Sequence, residues 1–320
     1  MGAAQLYFTG SKAHNIAIRR IAVGKGLKLN EYGLFRGEAR VAGATEASVY
    51  RRLGMAWVEP ELREDRGEVE AARARRLPRL VELADLRGDL HAHTTASDGR
   101  ADLAEMAKAA RALGLAYLAI TDHTKAARIA GGLSDRAMRR HLARIDEANA
   151  GLRGFRLLKS AEVDILEDGR LDLPDAILAE LDLAVCSIHT RFGLSREKQT
   201  ARILKAMDHP RLHVLGHPTG RLLGEREPYD VDLERVIDGA AERHCFVELD
   251  SQPQRLDLDD RWCRVAKERG VKVAVSSDAH DPAQLRNLRL GVAQARRGWL
   301  GPDDVLNTRP WSALRKLLRR

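Results

Sequence analysis

Residues 86–123 read LRGDLHAHTTASDGRADLAEMAKAARALGLAYLAITDH, and this stretch decides the fold class. The residues at its start and those at 117–123 have strand character, and the segment between them has the spacing of an amphipathic helix. The same alternation repeats seven times from Leu86 onward. Repeated units of this kind predict an α/β fold with parallel strands, either as an open doubly wound sheet or as a closed barrel.

The predicted strands cover residues 86–94, 117–123, 156–165, 183–189, 214–218, 246–250 and 272–280. No GxGxxG turn follows the first of them, which disfavours a dinucleotide-binding sheet. Residues 1–59 differ: a helix over 9–24 and short strands over 27–41 predict a small α+β segment. Residues 60–85 are rich in Arg and Glu, so we expect a charged linker there and a second domain over 86–320.

Composition limits the class of protein. Hydrophobic residues make up 44% of the 320 residues, which is enough for a sizeable core. No apolar run is long enough to span a membrane and no signal peptide is recognisable, so we expect a cytoplasmic protein without a membrane partner. Cys186, Cys245 and Cys263 are widely spaced and are interpreted as core thiols.

The net charge favours an anionic partner without naming one. The chain carries a formal net charge of +8, and residues 1–88 hold 16 Lys and Arg against 11 Asp and Glu. A basic excess of this size suits nucleic-acid binding. It is explained equally well by solubility alone.

Metal-ligand residues recur at the ends of the predicted strands. His91 and His93 are two residues apart on the first strand, so they face the same side and can share an ion. In a barrel, all carboxyl ends of the strands open onto one rim. The candidate ligands collected there are His91, His93, Asp98, His123, Glu162, His189, His217, Asp278 and His280.

Nine donors exceed the needs of one tetrahedral ion, so we expect two or three divalent ions, Mn²⁺, Zn²⁺ or Fe²⁺. Glu162 is the natural bridge between them. We expect Glu162, Asp278 and His189 to be catalytic, in a reaction where metal-bound hydroxide attacks phosphorus. The sequence contains neither a GxSxG elbow nor a P-loop, in agreement with a reaction that needs no protein nucleophile.

Other polar residues have supporting roles in this interpretation. Asp122 and Asp164 are expected to orient the neighbouring histidines. The remaining histidines lack strand-end spacing and are interpreted as surface or helix-terminal residues: His14, His141, His209, His213 and His244.

Three arginines are candidates for phosphate or DNA contacts. Arg191 and Arg221 closely follow presumed ligands, and Arg255 is a weaker candidate of the same type. A guanidinium at such a rim would hold a phosphate. For Arg221, a salt bridge to Glu225 or Glu227 is an equally good interpretation.

The strand-end motifs resemble, in order, those of the PHP (polymerase and histidinol phosphatase) superfamily. The matching motifs are His91-x-His93, Asp98-Gly99, Thr121-Asp122-His123, Glu162, Ser187-Ile188-His189, Gly216-His217-Pro218 and Ser277-Asp278-Ala279-His280. The resemblance covers residues 86–300 and implies a distorted (β/α)7 barrel with a trinuclear site. It implies that His91, His93, Glu162 and Asp278 hold one ion, that Glu162, His189 and His217 hold a second, and that Asp98, His123 and His280 hold a third.

A second resemblance extends over nearly the whole chain. Residues 7–15 (YFTGSKAHN), 29–35 (LNEYGLF) and 60–64 (PELRE) are similar to the end of the polymerase core of bacterial family X DNA polymerases, which carry a PHP domain directly afterwards. The resemblance makes residues 1–59 a truncated thumb-like segment. It also makes Thr9, Gly10, Ser11 and Asn15 a remnant of the nucleotide pocket, although helix capping explains Thr9 and Ser11 more simply.

Residues 1–6 cannot contain the Asp-x-Asp carboxylates that a polymerase palm requires, so we expect no DNA polymerase activity from these 320 residues. The expected function is metal-dependent phosphodiester hydrolysis on DNA, as a 3′–5′ exonuclease that processes 3′ ends in DNA repair. Its expected partners are DNA, including gapped or damaged DNA, and a separate polymerase subunit.

Two alternatives stay open. One is a phosphomonoesterase of the histidinol-phosphatase kind, which would release inorganic phosphate instead of mononucleotides. The other is a noncatalytic, metal-stabilised module that binds DNA.

Overall fold

The structure is a computed structural model that describes residues 1–319. It divides into two units, Met1–Arg79 and a second unit that begins at Leu80. Residues 60–79 therefore belong to the first unit and do not form a separate linker, because Leu62, Val69 and Ala72 are buried and anchor them. None of the described helices is both long and apolar enough to cross a membrane.

The first unit is a small α+β segment, as predicted. Its helices are α1 (Gly2–Thr9), α2 (Lys12–Gly24), α3 (Glu46–Leu53) and α4 (Glu68–Arg73), and its antiparallel strands are β1 (Lys28–Asn30), β2 (Gly33–Arg36) and β3 (Ala39–Ala42), in the order β1-β2-β3. The predicted helix over 9–24 is interrupted, because Gly10 has a φ of 75° and ends α1. Ser11 then begins α2 by accepting a hydrogen bond from the His14 amide at 3.2 Å.

Charged side chains lie inside the first unit. His14 is buried, with Nδ1 2.6 Å from Glu68 Oε1 and Nε2 2.8 Å from the Tyr50 hydroxyl. Of the two predicted settings, surface or helix-terminal, the surface is wrong, and His14 lies in the first turn of α2. Arg63 is also buried and donates to both carboxylate oxygens of Glu46, at 2.7 and 3.0 Å. Each buried charge thus has an oppositely charged or polar partner, as burial requires.

The second unit is a parallel, nearly closed α/β barrel, which confirms the predicted fold class. Its strands are β4 (Gly88–Asp89), β5 (Tyr117–Ile120), β6 (Arg156–Asp164), β7 (Leu183–Ser187), β8 (Val214–Leu215), β9 (Phe246–Asp250) and β10 (Val273–Ser276), and each pairs with the next in chain order. Most are shorter than predicted, because the residues at their carboxyl ends leave the sheet to form irregular backbone around the site. All five residues of β7 are buried, as expected for a parallel strand covered on both faces.

Helices surround the barrel. They are α5 (Leu103–Ala112), α6 (Asp135–Gly151), α7 (Asp175–Leu178), α8 (Arg196–Met207), α9 (Leu233–Glu242), α10 (Asp260–Glu268), α11 (Leu288–Arg297) and α12 (Trp311–Leu317). Local sequence defines where they begin: Asp102 and Glu105 form a capping box at α5, and Ser134 and Ser195 cap α6 and α8. The main apolar core includes buried side chains from both strands and helices, and the three cysteines are buried as predicted.

The first and last strands, β4 and β10, meet through few contacts. A single parallel bridge joins Ala92 to Ala279 just beyond the strand ends. Nearer the other end, the buried Asn307 amide donates to the carbonyls of Gly88 (2.7 Å) and Val275 (2.8 Å) and accepts from the Val275 amide (3.1 Å). Asn307 therefore supplies, from its side chain, hydrogen bonds that a continuous ladder would otherwise make.

We expect Asn307→Ala to lower the free energy of unfolding by about 2–4 kcal/mol, because it leaves buried carbonyls without donors. Urea denaturation at a fixed metal concentration measures this change. Asp303→Ala is the control, since this exposed side chain lies on the same segment and its loss should cost no more than about 0.5 kcal/mol. Equal stability of the two variants would contradict the bridging role of Asn307.

Candidate metal centre

All nine predicted ligands come together at the carboxyl ends of the barrel strands. His91, His93 and Asp98 follow β4, and His123 follows β5. Glu162 lies within β6, and the others come from the segments after β7, β8 and β10. Their positions in sequence span residues 91–280, so the barrel alone brings them to one place. The site is largely buried, and Asp98, His189 and His280 are its partly exposed members.

Glu162 lies at the centre of the cluster and is 1% exposed. Its Oε1 is 2.8 Å from His217 Nε2 and 3.1 Å from His189 Nε2. Its Oε2 is 3.0 Å from His123 Nδ1, 3.4 Å from His91 Nε2 and 3.7 Å from His93 Nε2. The two oxygens of this one carboxylate therefore face two different groups of imidazoles.

Two aspartates complete the cluster on either side of His93. Asp278 Oδ1 lies 3.0 Å from His93 Nε2 and 3.5 Å from His91 Nε2. Asp98 Oδ2 lies 3.3 Å from Nε2 of both His123 and His280. Asp98 Oδ1 also lies 3.4 Å from His93 Nδ1, and Asp278 Oδ1 lies 3.8 Å from His280 Nδ1, so each aspartate faces three imidazole nitrogens.

The spacing of these atoms suits divalent ions. Two ligand atoms of one tetrahedral ion with bonds of about 2.1 Å lie about 3.4 Å apart, close to the separations above. Three sets have ligand atoms within 4.8 Å of one another: His93, Asp98, His123 and His280; His91, His93 and Asp278; and His123, Glu162 and His189. These sets overlap those that the family resemblance implies, but they assign both His93 and His123 to two groups.

One buried nitrogen supports this fit directly. His91 Nδ1 is 2.8 Å from Glu248 Oε1, which orients the ring and leaves Nε2 facing Glu162 and Asp278. That Nε2 atom is buried and has no hydrogen-bond partner among the described residues. A carboxylate on the far nitrogen and a free near nitrogen are typical of a metal-ligating histidine.

Electrostatics divides the ligands into two kinds. Burial raises the pKa of Glu162, but the charges of His189, His123 and His91 outweigh it and hold that pKa well below its usual range. Burial lowers the pKa of His123 and His189, but the charge of Glu162 outweighs it and raises them to about 10 and about 9. By contrast, burial lowers the pKa of His93, which favours its neutral, metal-binding form.

The sequence analysis missed Glu248. Besides contacting His91, its Oε2 accepts from the His217 amide at 2.7 Å, so one buried carboxylate positions two presumed ligands. The signal was present in the sequence: Glu248 and Asp250 alternate on the otherwise apolar strand β9. Carboxylates at this spacing share one face of a strand.

The two aspartates expected to orient histidines behave differently. Asp164 Oδ1 lies 3.2 Å from His189 Nδ1, in the expected position. Asp122 instead contacts His141 Nε2 at 2.8 Å, accepts from Thr94 and does not bind His123. The assignment of His141 to the surface or a helix end was therefore wrong, because it is buried in the interior of α6. It was also wrong for His213, which is buried directly before β8 and whose Nδ1 accepts from the Ala184 amide.

A cavity of about 560 Å³ opens over the cluster. Arg255, which seemed the weakest of the three arginine candidates, lines it, and Arg255 Nε lies 3.5 Å from Asp278 Oδ2 and 3.2 Å from Asp250 Oδ2. Arg191 and Arg221 are not among its lining residues.

Each of these two arginines has another partner. Arg191 extends into solvent and pairs with Glu167 at 2.9 Å. Arg221 donates to the backbone carbonyls of Arg255 and Leu256, and neither Glu225 nor Glu227 is its partner in these contacts. The Arg221 guanidinium, which the sequence predicted would hold phosphate, therefore donates its hydrogen bonds to backbone carbonyls instead.

A parallel barrel whose strand ends converge on clustered histidines and carboxylates defines the class of protein. Residues 89–209 match the family model of the PHP domain, and residues 4–64 match that of the DNA polymerase beta thumb. A probable phosphatase of Thermoanaerobacter sp. (strain X514) is 30% identical over 231 residues, which are 69% of this chain and 89% of that protein. The chain belongs to the PHP family.

A longer relative matches almost the whole chain. The DNA polymerase/3′-5′ exonuclease PolX of Bacillus subtilis (strain 168) is 38% identical over 317 residues. The match covers 98% of this chain and 55% of the Bacillus protein, so the chain spans about half the length of that relative. The resemblance to the carboxyl-terminal part of a family X polymerase is thereby confirmed.

Among solved structures, the histidinol phosphate phosphatase of Lactococcus lactis, complexed with zinc, L-histidinol and phosphate, superposes with a TM-score of 0.45 and 14% identity. The superposition covers 65% of this chain and 93% of that chain.

Protons on His123 and His189 should compete with divalent ions. With pKa values of about 10 and about 9, both rings are protonated at about pH 7.5 without metal, whereas a ligand must be neutral. We expect Zn²⁺ binding to release about two protons from these rings and to tighten as the pH rises towards 9. Calorimetry in buffers of different ionisation enthalpy measures the release.

His189→Asn is the matched variant, and it should release about one proton fewer. Zinc binding without proton release, or with an affinity that does not change over this pH range, would contradict the raised pKa values.

Proposed function

We propose that this chain is a metal-dependent phosphodiesterase that removes nucleotides from the 3′ end of DNA. The observation that carries the proposal is the buried cluster of six histidines and three carboxylates beneath an open cavity, in a chain of the PHP family. Such donor sets suit several divalent ions, and clustered ions are used for phosphate-ester hydrolysis.

The residues fit three sites, two of which share Glu162. His91, His93, Asp278 and Glu162 Oε2 would hold one ion, and His189, His217 and Glu162 Oε1 a second, while Asp98, His123 and His280 would hold a third. Ions bound there would activate a water molecule and offset the negative charge of a phosphate ester. Glu162, Asp278 and His189 are the proposed catalytic residues.

The chain's own side chains would bind and orient the phosphate. Arg255 lines the cavity and faces Asp278, so its positive charge lies beside the cluster, where a substrate phosphate would bind. A guanidinium in a partly buried site binds phosphate oxygens through charge-assisted hydrogen bonds. Asp164 holds His189 Nδ1 and thereby turns His189 Nε2 towards Glu162.

Two observations favour DNA as the substrate. The first unit matches a DNA polymerase thumb, and the basic excess of the chain is concentrated in residues 1–88. The relative that matches over 98% of the chain is named a 3′-5′ exonuclease, and the proposed polarity rests on that name. The proposed nucleotide-pocket remnant is Thr9, Gly10, Ser11 and Asn15, of which Ser11 caps α2 and Asn15 donates to the Tyr7 carbonyl.

Phosphomonoester hydrolysis is the second candidate, because the chain covers 89% of a relative named a probable phosphatase. The products separate the two activities, since a nuclease releases mononucleotides and a phosphatase releases inorganic phosphate from small esters. A noncatalytic DNA-binding module would bind DNA and bind less than about one ion per chain.

We expect Asp278→Ala to slow the removal of nucleotides from 3′ ends by about a hundredfold or more, because it deletes a proposed ligand. DNA binding should change less than about fivefold, since the basic residues that contact phosphates remain. End-labelled single- and double-stranded DNA, incubated with Mn²⁺ and separated by size, measures cleavage, and fluorescence anisotropy measures binding.

Asp303→Ala is again the control, because it removes an exposed aspartate far from the cluster in sequence and should cleave like the unmodified chain. Undiminished cleavage by Asp278→Ala would exclude the proposed site. Release of inorganic phosphate without mononucleotides would replace the nuclease with the phosphatase.

A further inference from the structure

An apolar side chain extends into solvent at the edge of the metal-centre cavity. Ile129 lines this cavity, and its side chain has the highest exposed fraction among the large hydrophobic residues that the structure describes. A fully exposed isoleucine lacks the favourable free energy that burial of its apolar surface would provide. No part of residues 1–319 covers Ile129, so that favourable free energy is available to a ligand.

Ile129 lies on a loop that the site itself holds in place. The Thr124 amide donates to the Glu162 carbonyl at 3.2 Å, and the Leu133 amide donates to the His123 carbonyl at 2.8 Å. Between these ends, the Ala126 amide donates to Asp172 Oδ2 at 2.6 Å. The rim loop, residues 124–133, is thus anchored to two proposed ligands.

Gly132 shows how tightly this loop is folded. Its amide donates to the Ala127 carbonyl at 3.1 Å, and a Cβ added to Gly132 would lie 2.0 Å from the Thr124 carbonyl oxygen. A side chain therefore cannot be accommodated there without a shift of the backbone. The exposure of Ile129 is a consequence of this fixed turn.

The cavity has two chemically different walls. One wall consists of seven of the nine proposed ligands, all except His91 and His93, together with Arg255. The rim loop supplies the other, through the apolar side chains of Ala126, Ala127, Ile129 and Ala130 and the basic side chain of Arg128. A volume of about 560 Å³ is within the range of small-molecule sites and leaves room for more than a phosphate group.

We infer that the rim loop is a nucleoside-binding wall, in which Ile129 contacts the deoxyribose and base of the nucleotide whose phosphate lies at the cluster. The inference rests on the proposed function, because it takes the ligand to be a nucleotide. A nucleotide matches both walls, since it joins an anionic phosphate to a ring system with apolar faces. A small phosphate ester engages the cluster alone, so Ile129 is the residue that distinguishes the two kinds of substrate.

Binding of two phosphonates that cannot be hydrolysed tests this wall. One is the analogue of thymidine 5′-monophosphate in which carbon replaces the 5′ ester oxygen, and the other is methylphosphonate. We expect the Mn²⁺-loaded chain to bind the thymidine analogue at least about tenfold more tightly, and Ile129→Ala to reduce that preference about fivefold. Calorimetry gives both dissociation constants.

Two further variants sharpen the test. Ile129→Phe should keep or increase the preference, because a planar ring stacks on a base. Leu113→Ala removes a leucine that is 42% exposed and follows α5, outside the cavity lining, and should leave the preference unchanged. Metal content and melting temperature of each variant should equal those of the unmodified chain, because neither side chain is buried.

Equal binding of the two phosphonates, binding of neither, or a preference that Ile129→Ala leaves intact would overturn the inference. In the last case the apolar side chain serves some other contact, such as one with a protein. Failure of the proposed function gives a different result. In that case the chain would prefer the thymidine analogue but would not shorten DNA, so it would bind nucleotides without being a nuclease.

Discussion

A single buried carboxylate, Glu162, is approached by nitrogens of five histidines at 2.8–3.7 Å. Removing so many ionisable groups from water is costly unless opposite charges compensate each other. Protonated histidines supply part of that compensation, which explains why the pKa of His123 and that of His189 are raised. Divalent ions would replace these protons, so metal binding and proton release are coupled in this cluster.

The barrel supports this cluster through contacts that lie outside it. Glu248 holds His91 and the backbone of His217, and Asp164 holds His189. Arg202, buried behind the site, donates to the carbonyls of Leu166 and Thr190 at 2.8 and 2.9 Å, so it ties the loop after β6 to the loop after β7. Histidines that are also hydrogen-bonded on the side away from the cluster keep the orientation that metal ions require.

The proposed function gives the cluster and the cavity walls separate roles. Several metal ions held by imidazole and carboxylate can act on many phosphate esters, because their chemistry concerns the phosphorus centre. In the proposed function, substrate choice depends on what surrounds these ions: Arg255 on one side, the rim loop with Ile129 on the other, and the thumb-like unit elsewhere in the chain. The same family can therefore contain relatives named phosphatase and exonuclease.

The sequence by itself determined the strand–helix alternation and the set of nine donors, because strand periodicity and His-x-His spacing are local properties of the chain. Only the tertiary structure decided which side chains meet. It assigned Glu248 to His91, His141 to Asp122 and His14 to Glu68, pairs separated by 19 or more positions. It also placed Arg255 at the cavity instead of Arg191 and Arg221, because loop conformation and competing backbone carbonyls leave no local pattern in the sequence.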